Sequence, residues 1–183
     1  MSEISDLIQR LDECPPGDSG WVQFEKICTE IFCFLFVPPL TKPKIQKRSL
    51  SGTIRRDAVF PVRERSIEQN RNWQQLLREL NCRMLLVEFK NYDKTNVLKK
   101  DILQISDYMK TPMGKLSILV SNNEVSKKSH ARIKRNTIYS ESQKVILLLD
   151  KKHLKEMLFI KERGDDPADL IIDEVEDFYL QHE

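Results

Sequence analysis

The stretch Arg83–Asn91, RMLLVEFKN, decides the fold. Four apolar residues, Met84 to Val87, run without interruption and then give way to Glu88, Lys90 and Asn91. A run this short, β-branched at its end and closed by charge, is what a buried central strand ending at a site looks like. Glu88 and Lys90 stand two apart, so on a strand they share one face. Two ionised groups at the end of an apolar strand are costly unless they are solvated, paired or bound to a metal.

Working outward, Leu116–Val120 and Lys144–Leu149 predict two more buried strands. Upstream, Ile54–Val62 alternates Ile54, Arg56, Ala58, Phe60 and Val62 with Arg55, Asp57, Val59 and Pro61, which predicts a strand carrying Asp57 near its end. Helical spacing marks the segments between. Ile4, Leu7, Ile8 and Leu11 predict a helix over 3–13. Ser19 is placed to cap a second helix, which carries Trp21, Phe24, Ile27, Cys28 and Ile31 as its stripe and stops at Pro38-Pro39. Helices are also predicted over 66–81, 95–108, 122–135 and 153–159, with an amphipathic tail carrying Leu170, Ile171, Ile172, Val175 and Phe178. Residues 42–53 read as a polar basic stretch. Helices alternating with strands predict an α/β sandwich around a mixed sheet.

The 183 residues suit one domain, with a core over about 19–160 and an acidic helical extension over about 161–183. The longest apolar run, Ile31–Val37, is too short to span a bilayer, so no membrane partner is expected. The start MSEISDLIQR lacks the basic and apolar regions of a signal peptide. Cys14, Cys28, Cys33 and Cys82 form no Cys-x-x-Cys pair, and reduced, buried thiols with a cytoplasmic address are expected. His130, His153 and His182 are isolated, which leaves no zinc cluster and no Ser-His-Asp set.

The net charge of +2 is uneven. Residues 156–183 hold ten acidic and two basic residues, so the first 155 carry a local +10. Two stretches are basic with no acid in them. One contains Lys42, Lys44, Lys47, Arg48, Arg55 and Arg56; the other contains Lys127, Lys128, Arg132, Lys134 and Arg135. Such stretches can neutralise phosphates, or can simply be solvated faces.

If the strands of Asp57 and Glu88 are neighbours, the two carboxylates can share one divalent cation. With the backbone carbonyl of Phe89 they would suit a hard ion, Mg²⁺ or Mn²⁺, which also takes oxygens from water and phosphate. Lys90 could orient an attacking water, stabilise the pentavalent phosphorane, or be a salt-bridge partner of Glu88. Gln104 and Tyr108 are four apart on the next predicted helix and share a face that can turn toward the site. Glu25, on the first long helix, could supply another carboxylate, with Glu30 competing for that role.

A helix with Glu25, the strand RRDAVF with Asp57, the strand LLVEFKN with Glu88 and Lys90, and the helix ILQISDYM with Gln104 and Tyr108 resemble the restriction-endonuclease-like, PD-(D/E)xK, superfamily of metal-dependent nucleases. The likeness covers residues 19–150, and its Gln-x-x-x-Tyr element resembles the branch of recombination-type and CRISPR-adaptation exonucleases. Arg56 stands where the family has Pro, and the 31 residues between Asp57 and Glu88 imply an insertion at the Trp73 helix.

The resemblance implies a three-layer αβα sandwich, αβββαβ around a mixed four-stranded sheet. It implies metal ligation by Asp57 and Glu88, water activation or transition-state stabilisation by Lys90, and Glu25 as an assisting carboxylate. Gln104 and Tyr108 would support the site or contact nucleic acid, and Arg55 and Arg56 would hold phosphate near the metal. The expected activity is a Mg²⁺-dependent deoxyribonuclease that grips its substrate through Lys44, Lys47, Arg48, Lys127, Lys128 and Arg132. The alternatives are a non-catalytic module that binds nucleic acid or a partner, and an RNA-directed nuclease. The apolar residues of the C-terminal segment are a candidate interface for a homodimer or partner protein.

Overall fold

A computed structural model describes residues 2–48 and 55–182, and for Lys47, Arg48 and Arg55 it describes strand position only. The elements in chain order are α1 (Glu3–Asp12), α2 (Trp21–Phe36), β1 (Lys44–Arg48), β2 (Arg55–Pro61), α3 (Glu64–Ile67), α4 (Arg71–Leu80), β3 (Met84–Lys90), α5 (Lys99–Tyr108), β4 (Leu116–Ser121), α6 (His130–Ser142), β5 (Val145–Asp150), α7 (Lys151–Glu162) and α8 (Ala168–Leu180). The five strands form one open mixed sheet in the order β1-β2-β3-β4-β5. β2 pairs antiparallel with both β1 and β3, and β3, β4 and β5 are parallel.

Strand alternation sends side chains to two separate cores. Ala58, Phe60, Leu85, Val87, Phe89, Ile118, Val120, Leu147 and Leu149 pack with α1, α2, α4, α7 and α8. Val59, Leu86, Leu119, Ile146 and Leu148 pack with α5 and α6. The sheet is therefore flanked by helices on both faces, and β3 to β5 are buried on each, as their apolar runs predict.

Four expectations change. The basic stretch contains β1, a strand the pattern does not announce. The helix expected over 66–81 is two helices, because Asn70 accepts a hydrogen bond from Trp73 N and starts α4 afresh. The helix expected from residue 122 begins at His130. Asn122 and Asn123 instead hydrogen-bond the carbonyl of Tyr92, and Ser129 caps the helix. At α2 the cap position is Gly20 without a side-chain cap, and Ser19 bonds to Pro16 O instead. Ile54 of the predicted second strand lies outside the described residues.

The C-terminal segment is not an extension beyond the core. Leu170, Ile171, Val175 and Phe178 of α8 are buried in the larger core, and Phe178 lies edge-on to Tyr139 of α6 with the Arg135 guanidinium over its ring at 4.5 Å. Burying side chains of this size stabilises by about 1.5–3 kcal/mol each. These four side chains pack within the chain itself, and Leu180 is the large apolar residue of α8 left exposed. Burial also removes Arg135 from the basic surface. Desolvation brings its pKa down to about 10, and its Nη2 contacts Gln181 Oε1. The thiols of Cys14, Cys28, Cys33 and Cys82 are free, and no helix among the described residues is long and apolar enough to cross a membrane.

His153 of α7 lies between Asp150 at the end of β5, 2.7 Å from Nδ1, and Glu174 of α8, 3.4 Å from Nε2. These partners raise its pKa to about 9. A histidine raised in the folded state adds stability that is complete below its unfolded value of about 6.5 and is lost as pH rises through the folded one. Unfolding free energy is expected to fall between pH 6.5 and 9, with that part of the slope gone in His153→Ala; denaturant titrations across this range check it.

Gly114 holds φ 95°, and a Cβ there would sit 2.1 Å from Asn81 O. Gly164, at φ 87°, would meet nothing within 4 Å. Gly164→Ala is therefore expected to cost about 1 kcal/mol of backbone strain, and Gly114→Ala about 3 kcal/mol or more, because the α4–β3 turn must also move. Urea unfolding of the two variants distinguishes these outcomes.

Candidate functional site

The β2–β3 pairing runs from Pro61↔Met84 to Ala58↔Val87, which sets Asp57 opposite Glu88 at the next position. On the other side of β2, the paired positions with β1 skip Gln46 and Asp57. Gln46 there adopts φ 49°, a left-handed conformation that a ladder does not accommodate. Asp57 N hydrogen-bonds Glu88 Oε1 at 3.3 Å, and Phe89 N hydrogen-bonds Asp57 Oδ2 at 3.0 Å. Each carboxylate is thus held by the other's strand.

Glu88 is 2% exposed. Burial first, and the charge of Asp57 second, push its pKa up to about 8, with Lys90 opposing. In extended backbone one residue's N–H and C=O point to the same side, so the Phe89 carbonyl opens toward β2 and Asp57. Two carboxylates and a carbonyl are hard-oxygen donors of the kind Mg²⁺ or Mn²⁺ takes, with the remaining positions left to water and phosphate. The residues present fit such an ion. Among the described residues no three or more His, Cys, Asp or Glu side chains are grouped to hold a metal, so Glu25 does not join the pair. Glu25 is buried on α2, in the layer on the opposite face of the sheet, and accepts a hydrogen bond from Gln46 Nε2 at 3.1 Å.

Lys90 makes no ion pair with Glu88 within 4 Å. Its Nζ instead donates to Gln104 Oε1 at 3.2 Å, and Gln104 Nε2 donates to Tyr108 Oη at 2.6 Å. The four-residue spacing on α5 thus becomes a strut that aims the lysine. Arg56 lies beside Tyr108, with Nη2 3.5 Å from its carbonyl oxygen and the guanidinium carbon 5.7 Å from its ring centre; its Nε is buried without a hydrogen-bond partner. Asp57, Glu88, Lys90, Gln104, Tyr108 and Arg56 therefore form one connected site.

The remaining expected residues are elsewhere. Lys44 is exposed at the start of β1, opposite Val59, two residues of β2 away from Asp57. Lys127 and Lys128 are exposed in the turn before α6, and Arg132 is turned inward to Val125 O at 3.0 Å. The side chains of Lys47, Arg48 and Arg55 lie outside the described residues. Two features have no advance signal. Gln46 sits in a stretch with Ile45 as its one apolar residue, and the Tyr92 N–Asn122 Oδ1 bond at 2.8 Å joins loops thirty residues apart.

An ionised Glu88 opposes folding in the metal-free protein. A carboxyl raised in the folded state adds stability that is complete below the unfolded value of about 4.5 and is lost as pH rises through about 8. Glu88→Gln mimics the protonated form. It is expected to stabilise the metal-free protein at pH 8 by on the order of 1–3 kcal/mol, which is about 2–10 °C in melting temperature, and by nothing measurable at pH 4.5. Paired melts at the two pH values check this; a structural ion-pair role for Glu88 predicts the opposite sign.

No family model matches the chain, and no solved structure matches it. It is 23% identical over 164 residues to a protein of Escherichia coli (strain K12) described as "Putative transposon gamma-delta 80.3 kDa protein". That alignment covers 85% of this chain and 22% of the other, so the chain spans about a fifth of the length of the curated relative it matches.

Proposed function

We propose that the chain is a divalent-metal-dependent nuclease acting on DNA, built on the restriction-endonuclease-like fold. The observation that carries this is the clasped pair Asp57–Glu88 at the open end of β2 and β3, with Lys90 on the same strand face held by Gln104. The order α2-β1-β2-β3-α5-β4 fits the αβββαβ core of that superfamily, with α3 and α4 inserted between β2 and β3. The unexpected strand β1 supplies the first of the three consecutive β elements. The proposal rests on these carboxylates, and the relative's name adds nothing to it.

Asp57 and Glu88 would hold the ion through their carboxylates, with the Phe89 carbonyl beside them. A cation bound there supplies a Lewis acid for the phosphoryl oxygen and lowers the pKa of a bound water. Lys90 Nζ, steadied by Gln104, places a positive charge and a donor where the phosphoryl oxygens gain charge. Arg56 holds an adjacent phosphate. The water gives up a proton to solvent as its oxygen forms a bond to phosphorus and one ester bond breaks, and the leaving oxygen takes a proton from solvent.

A second reading, a nucleic-acid-binding module without chemistry, is favoured by one observation: Glu25 is not part of the carboxylate group. Incubating plasmid, linear DNA and RNA with Mg²⁺ or Mn²⁺ separates the readings. The nuclease is expected to cut DNA and to lose about 100-fold or more with Asp57→Asn or Lys90→Ala, and about 10-fold with Gln104→Ala. Binding without cleavage under every condition supports the module. Cleavage that Asp57→Asn and Lys90→Ala leave unchanged places the site elsewhere, and cleavage of RNA alone changes the substrate.

A further inference from the structure

The far end of the β2–β3 pair holds a cleft of about 900 Å³. Its floor is Pro61, Val62, Leu77 and Met84, and its cations are Lys44, Arg63 and Arg83, with Glu64 as the one acidic residue lining it. All three cations are exposed, and none has an ion-pair partner among the described residues. The wall is rigid. Val62 N bonds Arg83 O at 2.9 Å, Arg83 Nε bonds Asn81 Oδ1 at 3.3 Å, and Lys115 N bonds Leu80 O at 2.8 Å.

One side of the cleft, Pro61 and Met84, shares a sheet face with the candidate site, while Val62 and Leu77 belong to the larger core on the other face. Asp57, Val59 and Pro61 alternate to one side of β2, and Met84, Leu86 and Glu88 do so on β3, while Val59 and Leu86 lie in the core beneath α5 and α6. Lys44 stands opposite Val59 on β1. Arg56, next to Asp57 in the chain, contacts Tyr108 at the end of α5, and the chain leaving α5 reaches the cleft within four residues, at Thr111 and Pro112. Four residues separate Asp57 from Pro61 and Glu88 from Met84, a distance of about 13 Å at roughly 3.3 Å per residue. Along one strand of a duplex, at about 3.4 Å per phosphate, that is roughly four nucleotides.

We propose that this cleft is a second phosphate-binding station, where Arg63, Arg83 and Lys44 grip the DNA backbone about four nucleotides from the bond presented to Asp57 and Glu88. The ligand is a polyanion with regularly spaced phosphates: three cations without ion-pair partners among the described residues, against one carboxylate (Glu64), at a fixed distance from the proposed phosphate-handling site, are complementary to a chain of phosphates. The register of four nucleotides rests on the nuclease reading, whereas the binding itself does not.

The test is fluorescence anisotropy of a labelled 24-base-pair DNA with the full chain in EDTA, from 50 to 200 mM NaCl. Arg63→Glu/Arg83→Glu is expected to weaken binding at least tenfold at 100 mM and to make the log–log salt slope shallower by about two. Arg63→Gln/Arg83→Gln should fall between wild type and that variant, and Arg71→Glu, exposed at the start of α4 and not lining the cleft, should change affinity less than twofold. Melting curves matching wild type confirm that each variant is folded. Unchanged affinity in the double variants, or an equal loss in Arg71→Glu, overturns the proposal. Binding is measured without metal, so a wild type that binds through this cleft in EDTA and yet cuts nothing with Mg²⁺ or Mn²⁺ removes the nuclease reading and keeps the station. Cleavage by a wild type whose binding ignores Arg63 and Arg83 does the reverse.

Discussion

The exchange of hydrogen bonds between Asp57 and the 88–89 segment is the constraint on which the site depends. Two carboxylates on facing strand ends repel each other, and one of them is buried. They stay together because each accepts a backbone N–H belonging to the opposite strand, at 3.3 and 3.0 Å. Asp57 N is available for this only because β1 does not pair with it. The left-handed turn at Gln46 interrupts the β1–β2 ladder at that position. A backbone irregularity on the edge strand thereby sets the geometry of two side chains on the strands beside it.

The rest of the sheet makes that irregularity affordable. β3 is buried on both faces, and α2, α7 and α8 close one core while α5 and α6 close the other. α8 matters here despite its acidic surface. Asp166 accepts hydrogen bonds from Asn70 and Asn72, Phe178 stacks into Tyr139, and Glu174 reaches His153. The tail's negative charge thus serves in part to dock the helix, and its apolar face completes the core instead of waiting for a partner.

The readable parts of the sequence are those governed by local pattern. An apolar run ending in Glu88-Phe89-Lys90 places the central strand, its partner strand brings Asp57 across from it, and the spacing of Gln104 and Tyr108 puts both on one side of α5. β1 is unreadable for a physical reason. KIQKR is an edge strand with one apolar side chain, and lysine-rich edges are how sheets avoid pairing with other chains. Asn122 and Asn123 mislead for another. Their side chains compete with the backbone for hydrogen bonds and delay α6 by eight residues. Glu25 lies on a helix whose register is legible, but its hydrogen bond with Gln46 is one that no periodicity announces.

Basic residues sort by what surrounds them rather than by where they cluster in the chain. Arg135 is buried over Phe178 and Arg132 is bound to the Val125 carbonyl, although both belong to the densest basic stretch. Arg63 and Arg83, twenty residues apart and in no cluster, are brought together by the Pro61↔Met84 pairing and face no carboxylate partner. Antiparallel pairing makes this necessary: whatever ends β2 is set beside whatever begins β3. The same pairing that joins Asp57 to Glu88 at one end joins these two cations at the other. Charge density along the chain therefore exaggerates the 127–135 segment and overlooks the cleft, and the electrostatic surface of this protein follows from its strand register.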